Sequence, residues 1–325
     1  MKNKILVVFN TCGIRSGDNI RARAYVQTLN NIVAQQFDGF QVVLSSCLNS
    51  QTCINTVAGH LRDRISYNLI HENLPVAITF NHSVRNMVNR FGEFDIYMYV
   101  DSGMTFEEGD NILQNIYDVH IQSQAGITST RIVNDYSHPN QIDALNTLHQ
   151  SSNDRWLTLP MGFGLNGHVH TWDNTIYQAY DKRILPDVFS YHCQESIYTY
   201  MAAGIGRRYV VINGFQMNHF ISLDGESSGT YLMGLDPRKP HWNYTFRNIR
   251  DMTKVISDPE AKLCGFGYEE VEAILPHNPE CYDNQGNCKD PNRLKEFIRK
   301  NVFLSAIEFD YKTVQHEFTP CETSQ

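Results

Sequence analysis

Carboxylate, imidazole and thiol groups each occur in this sequence where chemistry is conceivable. Asp101 ends an apolar run, Ile96-Tyr97-Met98-Tyr99-Val100, and is followed by Ser102 and Gly103. A carboxylate at an open strand end suits a hard divalent cation such as Mg2+ or Mn2+, which prefers oxygen ligands. His168-Val169-His170 offers two imidazoles, a weak metal signal when no further ligand accompanies them. The eight cysteines stand at 12, 47, 53, 193, 264, 281, 288 and 321, with no Cys-x-x-Cys pair, so the strong zinc spacing is absent. Cys281 and Cys288 flank a polar turn and are the pair that could meet across it, as a disulfide or as metal ligands. Gly162 and Gly164 lie in a Gly-rich loop between Pro160 and Gly167, which would let backbone approach a ligand closely.

Such groups need a frame. The first hundred residues alternate apolar runs with helical patterns, the signature of an α/β sheet. The pattern predicts strands over Lys4–Asn10, Phe40–Leu44, Pro75–Phe80 and Phe94–Val100. Helices are predicted over Asn19–Gln36, Cys53–Asn68 and His82–Arg90. Continuous apolar runs such as Ile5 to Phe9 suit strands covered on both faces. Right-handed crossovers then give a mostly parallel, doubly wound sheet flanked by helices. Ligands in such sheets bind beyond the carboxyl ends of the strands. The loops 10–18, 45–50, 81–82 and 101–104 are therefore expected to share one crevice. Further on, helices are predicted over Asn111–Ile116, near Trp172–Tyr180, and over Glu195–Ala203, Tyr268–Leu275 and Arg293–Phe309. Strands are predicted over Gly126–Val133, Trp156–Leu159 and Arg208–Ile212. The organisation expected is a main α/β domain over 1–225 and an extension over 226–325 packed on it.

Composition narrows the function. The chain has 325 residues, 42% hydrophobic and 19% charged, enough for a full core. Its 27 Lys+Arg against 35 Asp+Glu leave −8, with no basic block, which argues against nucleic acid as a partner. No stretch is long and apolar enough to span a membrane, and the N-terminus lacks the pattern of a signal peptide, so a cytoplasmic location is expected.

The stretch from Val76 to Met104 resembles the nucleotide-binding half of GT-A fold glycosyltransferases: an Asn81 turn, a helix with Arg85 and Asn86, an apolar strand, and a terminal acidic motif. The family's usual Asp-x-Asp stands here as Asp101-Ser102-Gly103, with one carboxylate instead of two. Either Asp101 holds the metal with another ligand, or the enzyme relies less on metal. The resemblance spans roughly residues 4–225. It implies a GT-A-like fold and transfer of a sugar from a nucleotide-sugar donor, UDP-linked by expectation, to a hydroxyl of a glycan or glycolipid acceptor. Mn2+ or Mg2+ would neutralise the departing diphosphate.

The same resemblance suggests roles for particular residues. Glu195, in Tyr191-His192-Cys193-Gln194-Glu195-Ser196, stands where inverting members carry the base that takes the acceptor's proton. Asp187 is the rival base. His219 stands where a His often reaches back to the metal, and could replace the missing second carboxylate. Asn10, Thr11, Arg15 and Ser46 would lie near the base and ribose. Asn81, Arg85, Asp101, Ser102 and Gly103 would line the diphosphate, with Arg85 as its cation. Phe163 or Trp172 could stack on a sugar face.

Other classes make different demands. A sugar-nucleotide-forming nucleotidyltransferase would carry a Gly-rich basic loop after the first strand; 11–17 has part of that pattern without Lys. A Rossmann methyltransferase or dehydrogenase would show Gly-x-Gly-x-x-Gly there, which is absent. A non-catalytic carbohydrate-binding relative would fit the single carboxylate.

Overall fold

Successive residues of a strand point to opposite faces of its sheet. Leu6 and Val8 accordingly join one buried cluster while Ile5, Val7 and Phe9 join another. That split of one apolar run into two cores describes the whole architecture: a sheet covered on both faces. The computed structural model describes residues 3–12, 19–47, 63–71, 74, 76–101, 104–106, 111–132, 155–160, 169–187, 189–191, 195–219, 244–245, 288–307 and 309–322.

The chain runs β1 (Ile5–Cys12), α1 (Asn19–Val33), β2 (Phe40–Cys47), β3 (Ser66–Ile70), α2 (Val76–Phe91), β4 (Ile96–Asp101) and β5 (Met104–Thr105). It continues through α3 (Ile112–Ser123), β6 (Ile127–Ile132), β7 (Trp156–Thr158), β8 (Val169–Asp173), α4 (Asn174–Ala179), β9 (Phe189–Tyr191) and α5 (Glu195–Gly204). β10 (Tyr209–His219), β11 (Tyr244–Thr245), α6 (Pro291–Asn301), a 3-10 turn (Tyr311–Thr313) and β12 (His316–Thr319) follow. The sheet order is β12-β3-β2-β1-β4-β8-β6-β10-β5, with β7 beside β10; β9 and β11 form a separate ribbon. β1 to β4 are mutually parallel, and so are β6 and β10. β8 is antiparallel to both β4 and β6, and β5, β7 and β12 are also antiparallel to their neighbours, so the sheet is mixed. Residues of α1 and α3 fill one core; α2, α4, α5 and α6 fill the other. No described helix is long and apolar enough to cross a membrane.

Two predicted elements exchange identity. Val76–Phe80 is the first part of α2, not a strand. Ala77, Phe80, Val84 and Met87 are all buried, so one helical stripe runs unbroken through the segment. The third parallel strand is instead Ser66–Ile70, predicted as the end of a helix. All five of its residues are buried, including polar Ser66 and Asn68, whose bonds come from Cys321 and from α2. Val169–Asp173 is likewise a strand, with the predicted helix starting only at Asn174. Asp173 caps it by accepting from the Thr175 N–H.

The C-terminal part returns to the sheet. β12 pairs with the free edge of β3, and α6 packs on α5. Their crossing needs Gly204, where a Cβ would come within 2.7 Å of the Tyr180 hydroxyl and 3.2 Å of the Lys295 backbone. The last predicted helix ends at Asn301 rather than at Phe309. Tyr268–Leu275 and Cys281 lie outside the described residues.

Candidate active site

The alternation that buries Leu6 and Val8 delivers Asn10 to the same face of β1, at its carboxyl end. Asn10 is in register with Ser45 on β2 and Asp101 on β4, and Ser45 with Asn68 on β3. Asn68, Ser45, Asn10 and Asp101 thus form one polar row across four parallel strands, at the end of β4 and two residues short of the ends of β1, β2 and β3, close to the edge where ligands bind in open α/β sheets. Asn68 and Ser45 are fully buried and Asn10 is 5% exposed.

Buried polar groups need partners, and α2 supplies them. Thr79, His82, Ser83 and Asn86 recur at helical spacing and face the row. Asn68 Nδ2 donates to Ser83 Oγ at 2.6 Å and approaches His82 Nδ1 at 3.2 Å, while Asn86 Nδ2 donates to Asn68 Oδ1 at 3.0 Å. Ser45 Oγ donates to the Thr79 carbonyl, and Thr79 Oγ1 donates to Asn10 Oδ1 at 3.2 Å. His82 is held neutral: burial, then His316 and Arg85, bring its pKa down to about 4. The sequence reading missed this stripe. Its 79, 82/83, 86 spacing is visible only once Val76–Phe80 is seen as helix.

On the other side of Asp101, β10 passes a bulge between Ile212 and Gln216 and runs on to pair with β5. Asn218 is opposite Thr105 and His219 opposite Met104, three residues beyond Asp101. The fold therefore brings the positions of Asp101 and His219 to the same edge, although 118 positions separate them in sequence. An oxygen and an imidazole nitrogen are a donor set that Mn2+ accepts. Among the described residues no group of three or more His, Cys, Asp or Glu is placed to hold a metal. The side chains of Asp101 and His219 are outside that description.

Helix α5 carries Glu195 to the same end of the sheet. Its C-terminal part lies against the start of β6, where a Cβ on Gly126 would meet Ala202 and Ile205 at 3.3 Å. Midway, the Tyr198 ring meets His170, which pairs with Tyr99 just short of Asp101. The helix therefore runs antiparallel to β6, and Glu195, in its first turn, stands at the carboxyl edge of the parallel strands.

Other expected site residues are elsewhere. Asn81 lies inside α2, and its carboxamide is fully engaged: Oδ1 accepts from the Ile184 and Leu185 N–H groups at 3.0 Å, and Nδ2 donates to the Leu185 carbonyl at 2.8 Å and the Tyr311 hydroxyl at 3.2 Å. It ties helix to loop and has no capacity left for a diphosphate. Asp187 is fully buried, accepting from the Leu304 N–H at 2.6 Å, the Tyr311 hydroxyl at 2.8 Å and Arg183 at 3.2 Å. Burial pushes its carboxyl up, and Arg183 opposes that. It is a structural anchor rather than an accessible base. Arg85 lies nine residues into α2, about 13 Å along the helix from its start. Its guanidinium is 5.0 Å from the centre of the Tyr311 ring, so it packs on the C-terminal segment instead of entering the crevice. Trp172 is fully buried in β8 between Phe80 and Tyr198, closed to any sugar. Thr11 and Ser46 are paired in register one residue beyond the polar row, and Ser46 is fully buried. Arg15, Ser102, Gly103, Phe163 and His168 lie outside the described residues.

No family model matches the sequence, and no curated protein matches it. Among solved structures the chain is similar to the mannosyltransferase PcManGT from Pyrobaculum calidifontis in complex with GDP-Man and Mn2+, with a TM-score of 0.51 and 14% identity. The match covers 69% of this chain and 59% of that one, so the chain spans less than two thirds of that protein's length. A match to S. aureus TarS 1-349 covers 99% of this chain and 98% of that one at 13% identity, with a TM-score of 0.47. At these identities the likeness is one of fold: the architecture is shared with a glycosyltransferase.

Proposed function

We propose that the protein is a GT-A-like glycosyltransferase that moves a sugar from a nucleotide-sugar donor to a hydroxyl of a glycan or glycolipid. One observation carries this reading. Asp101 ends β4 in register with Asn10, and the register of β10 brings His219 to the strand that starts three residues later. The fold shared with a mannosyltransferase solved with GDP-Man and Mn2+ supports the same class of donor. The resemblance implies UDP as the donor nucleotide, and the mannosyltransferase of similar fold was solved with GDP-Man, so both nucleotides belong in the test.

Asp101 and His219 would hold Mn2+ or Mg2+ against the donor diphosphate. The metal's chemistry when bound is to offset the negative charge that grows on that diphosphate as it departs. Asn10, at the adjacent strand end, would contact the nucleotide. Glu195 at the start of α5 acts as the base. It takes the proton of the acceptor hydroxyl as that oxygen bonds to the anomeric carbon and the bond from that carbon to the diphosphate oxygen breaks. One in-line displacement of this kind inverts the anomeric configuration.

The test is a panel of UDP- and GDP-sugars assayed for donor hydrolysis with and without Mn2+. Release of UDP or GDP that depends on Mn2+ and disappears in Asp101→Ala is expected. Absence of nucleotide release from every donor, with no nucleotide binding, would remove the reading.

A further inference from the structure

Within the polar row, Asn10 and Ser45 are held from α2 by one residue, Thr79. Thr79 is 1% exposed. Its hydroxyl shares its proton between the Val76 carbonyl of its own helix, at 2.9 Å, and Asn10 Oδ1, at 3.2 Å. Its carbonyl accepts from Ser45 Oγ on the neighbouring strand and from Ser83 Oγ at 2.9 Å. A single helix residue thus pins the ends of β1 and β2. The bond to Asn10 has a directional consequence. A carboxamide has one acceptor end and one donor end. With Oδ1 committed to Thr79, rotation that would exchange the two ends is opposed, and the Nδ2 donor is the end left for the crevice.

We infer that Thr79 is a positioning residue for the nucleotide: by fixing the Asn10 carboxamide, it makes this strand end a hydrogen-bond donor that selects an acceptor oxygen of the base or ribose. The inference rests on the glycosyltransferase reading for the identity of the ligand. The orientation of Asn10 itself does not.

Thr79→Val removes the hydroxyl at nearly constant shape, Thr79→Ser keeps it, and Asn10→Ala removes what it orients. Binding of UDP and of GDP with Mn2+ is measured by calorimetry for each variant and for the double variant Asn10→Ala/Thr79→Val, and crystal structures of both Thr79 variants are determined. Thr79→Val is expected to weaken binding of the nucleotide that the wild type prefers by about tenfold. Thr79→Ser restores it, and the double variant binds no worse than Asn10→Ala alone. A merely structural role would lower thermal stability without this pattern of rescue and non-additivity. Unchanged affinity in Thr79→Val, or losses that multiply in the double variant, would overturn the inference. If the wild type binds neither nucleotide, the glycosyltransferase reading fails, and the structures still decide the role of Thr79. A carboxamide turned in Thr79→Val but not in Thr79→Ser supports it, and one unmoved in both refutes it.

Discussion

His219, the last residue of β10, is paired across an antiparallel ladder with Met104, three residues beyond Asp101. If the strand end at Asp101, with its one carboxylate, takes a second protein ligand, β10 is a strand whose register on β5 brings a His to that edge. If both residues hold the cation, they are not equivalent. Asp101 supplies the charge, and His219 a neutral donor that completes the site. Asp101→Ala should abolish Mn2+-dependent donor hydrolysis, a loss of at least about 100-fold. His219→Ala should cost about 10- to 100-fold and raise the Mn2+ concentration needed for half-maximal rate. Activity measured across a Mn2+ titration separates the two, with melting temperatures confirming that each variant is folded.

The buried knot of Asn81, Asp187, Arg183 and Tyr311 predicts losses of stability rather than of chemistry. Asp187 accepts from Arg183, four residues earlier in the chain, and from Leu304 and Tyr311 in the distant C-terminal part. Asp187→Ala leaves the Leu304 N–H and the Tyr311 O–H without an acceptor and takes from Arg183 its buried carboxylate, while Arg183 keeps the Leu304 carbonyl; this should cost about 3–5 kcal/mol. Asn81→Ala leaves two N–H groups and one carbonyl unpaired and should cost about 2–3 kcal/mol. Urea unfolding checks both. Where the variants remain folded, kcat should stay near that of the wild type. A normal melting curve with lost activity for Asp187→Ala would return it to the site as a base.

These residues show what was legible in the sequence. The strand ending at Asp101 and the helix beginning at Glu195 could be read because each buries a continuous pattern of its own. Ser66–Ile70 could not, because Ser66 and Asn68 are strand residues only through partners far along the chain. Ser66 Oγ accepts from the N–H of Cys321, and Asn68 is bonded by Ser83 and Asn86. Val76, Ile78 and Thr79 favour strands by intrinsic preference, and packing of α2 on the sheet overrides it. That one exchange displaced the expected roles of Asn81 and Arg85, which depended on a turn after residue 80. The position of His219 relative to Asp101 was expected from the resemblance alone, since only the register of β10 on β5 brings them to one edge.

His82 predicts how stability depends on pH. Its ring is buried and lies edge-on to that of His316 on β12, with centroids 4.3 Å apart. Burial, His316 and Arg85 bring its pKa from 6.5 to about 4. Between those values the unfolded chain binds the proton and the folded chain does not. The contribution is therefore fully present above pH 6.5 and lost progressively as pH falls toward 4. The shift corresponds to about 3 kcal/mol at most. Urea unfolding at a series of pH values should show this decline, and His82→Gln should flatten it. An equal slope in the variant would assign the decline to other groups.

Glu195 is the sharpest test of the proposed chemistry. Its place in the first turn of α5 would suit a carboxylate for a purely electrostatic reason, because the helix N-terminus favours negative charge. The two roles separate in Glu195→Gln, which keeps size and polarity. A helix-terminal role alone predicts a loss of about 0.3–1 kcal/mol in stability and no change in rate. A base predicts a fall in kcat of about 100-fold or more, with nucleotide affinity and melting temperature little changed. The stereochemistry of the product gives an independent readout, because direct displacement with Glu195 as base inverts the donor's anomeric carbon. Proton NMR of the product formed early in the reaction should show the inverted anomer. A retained configuration would mean that no single displacement occurs, and that Glu195 does not serve as its base.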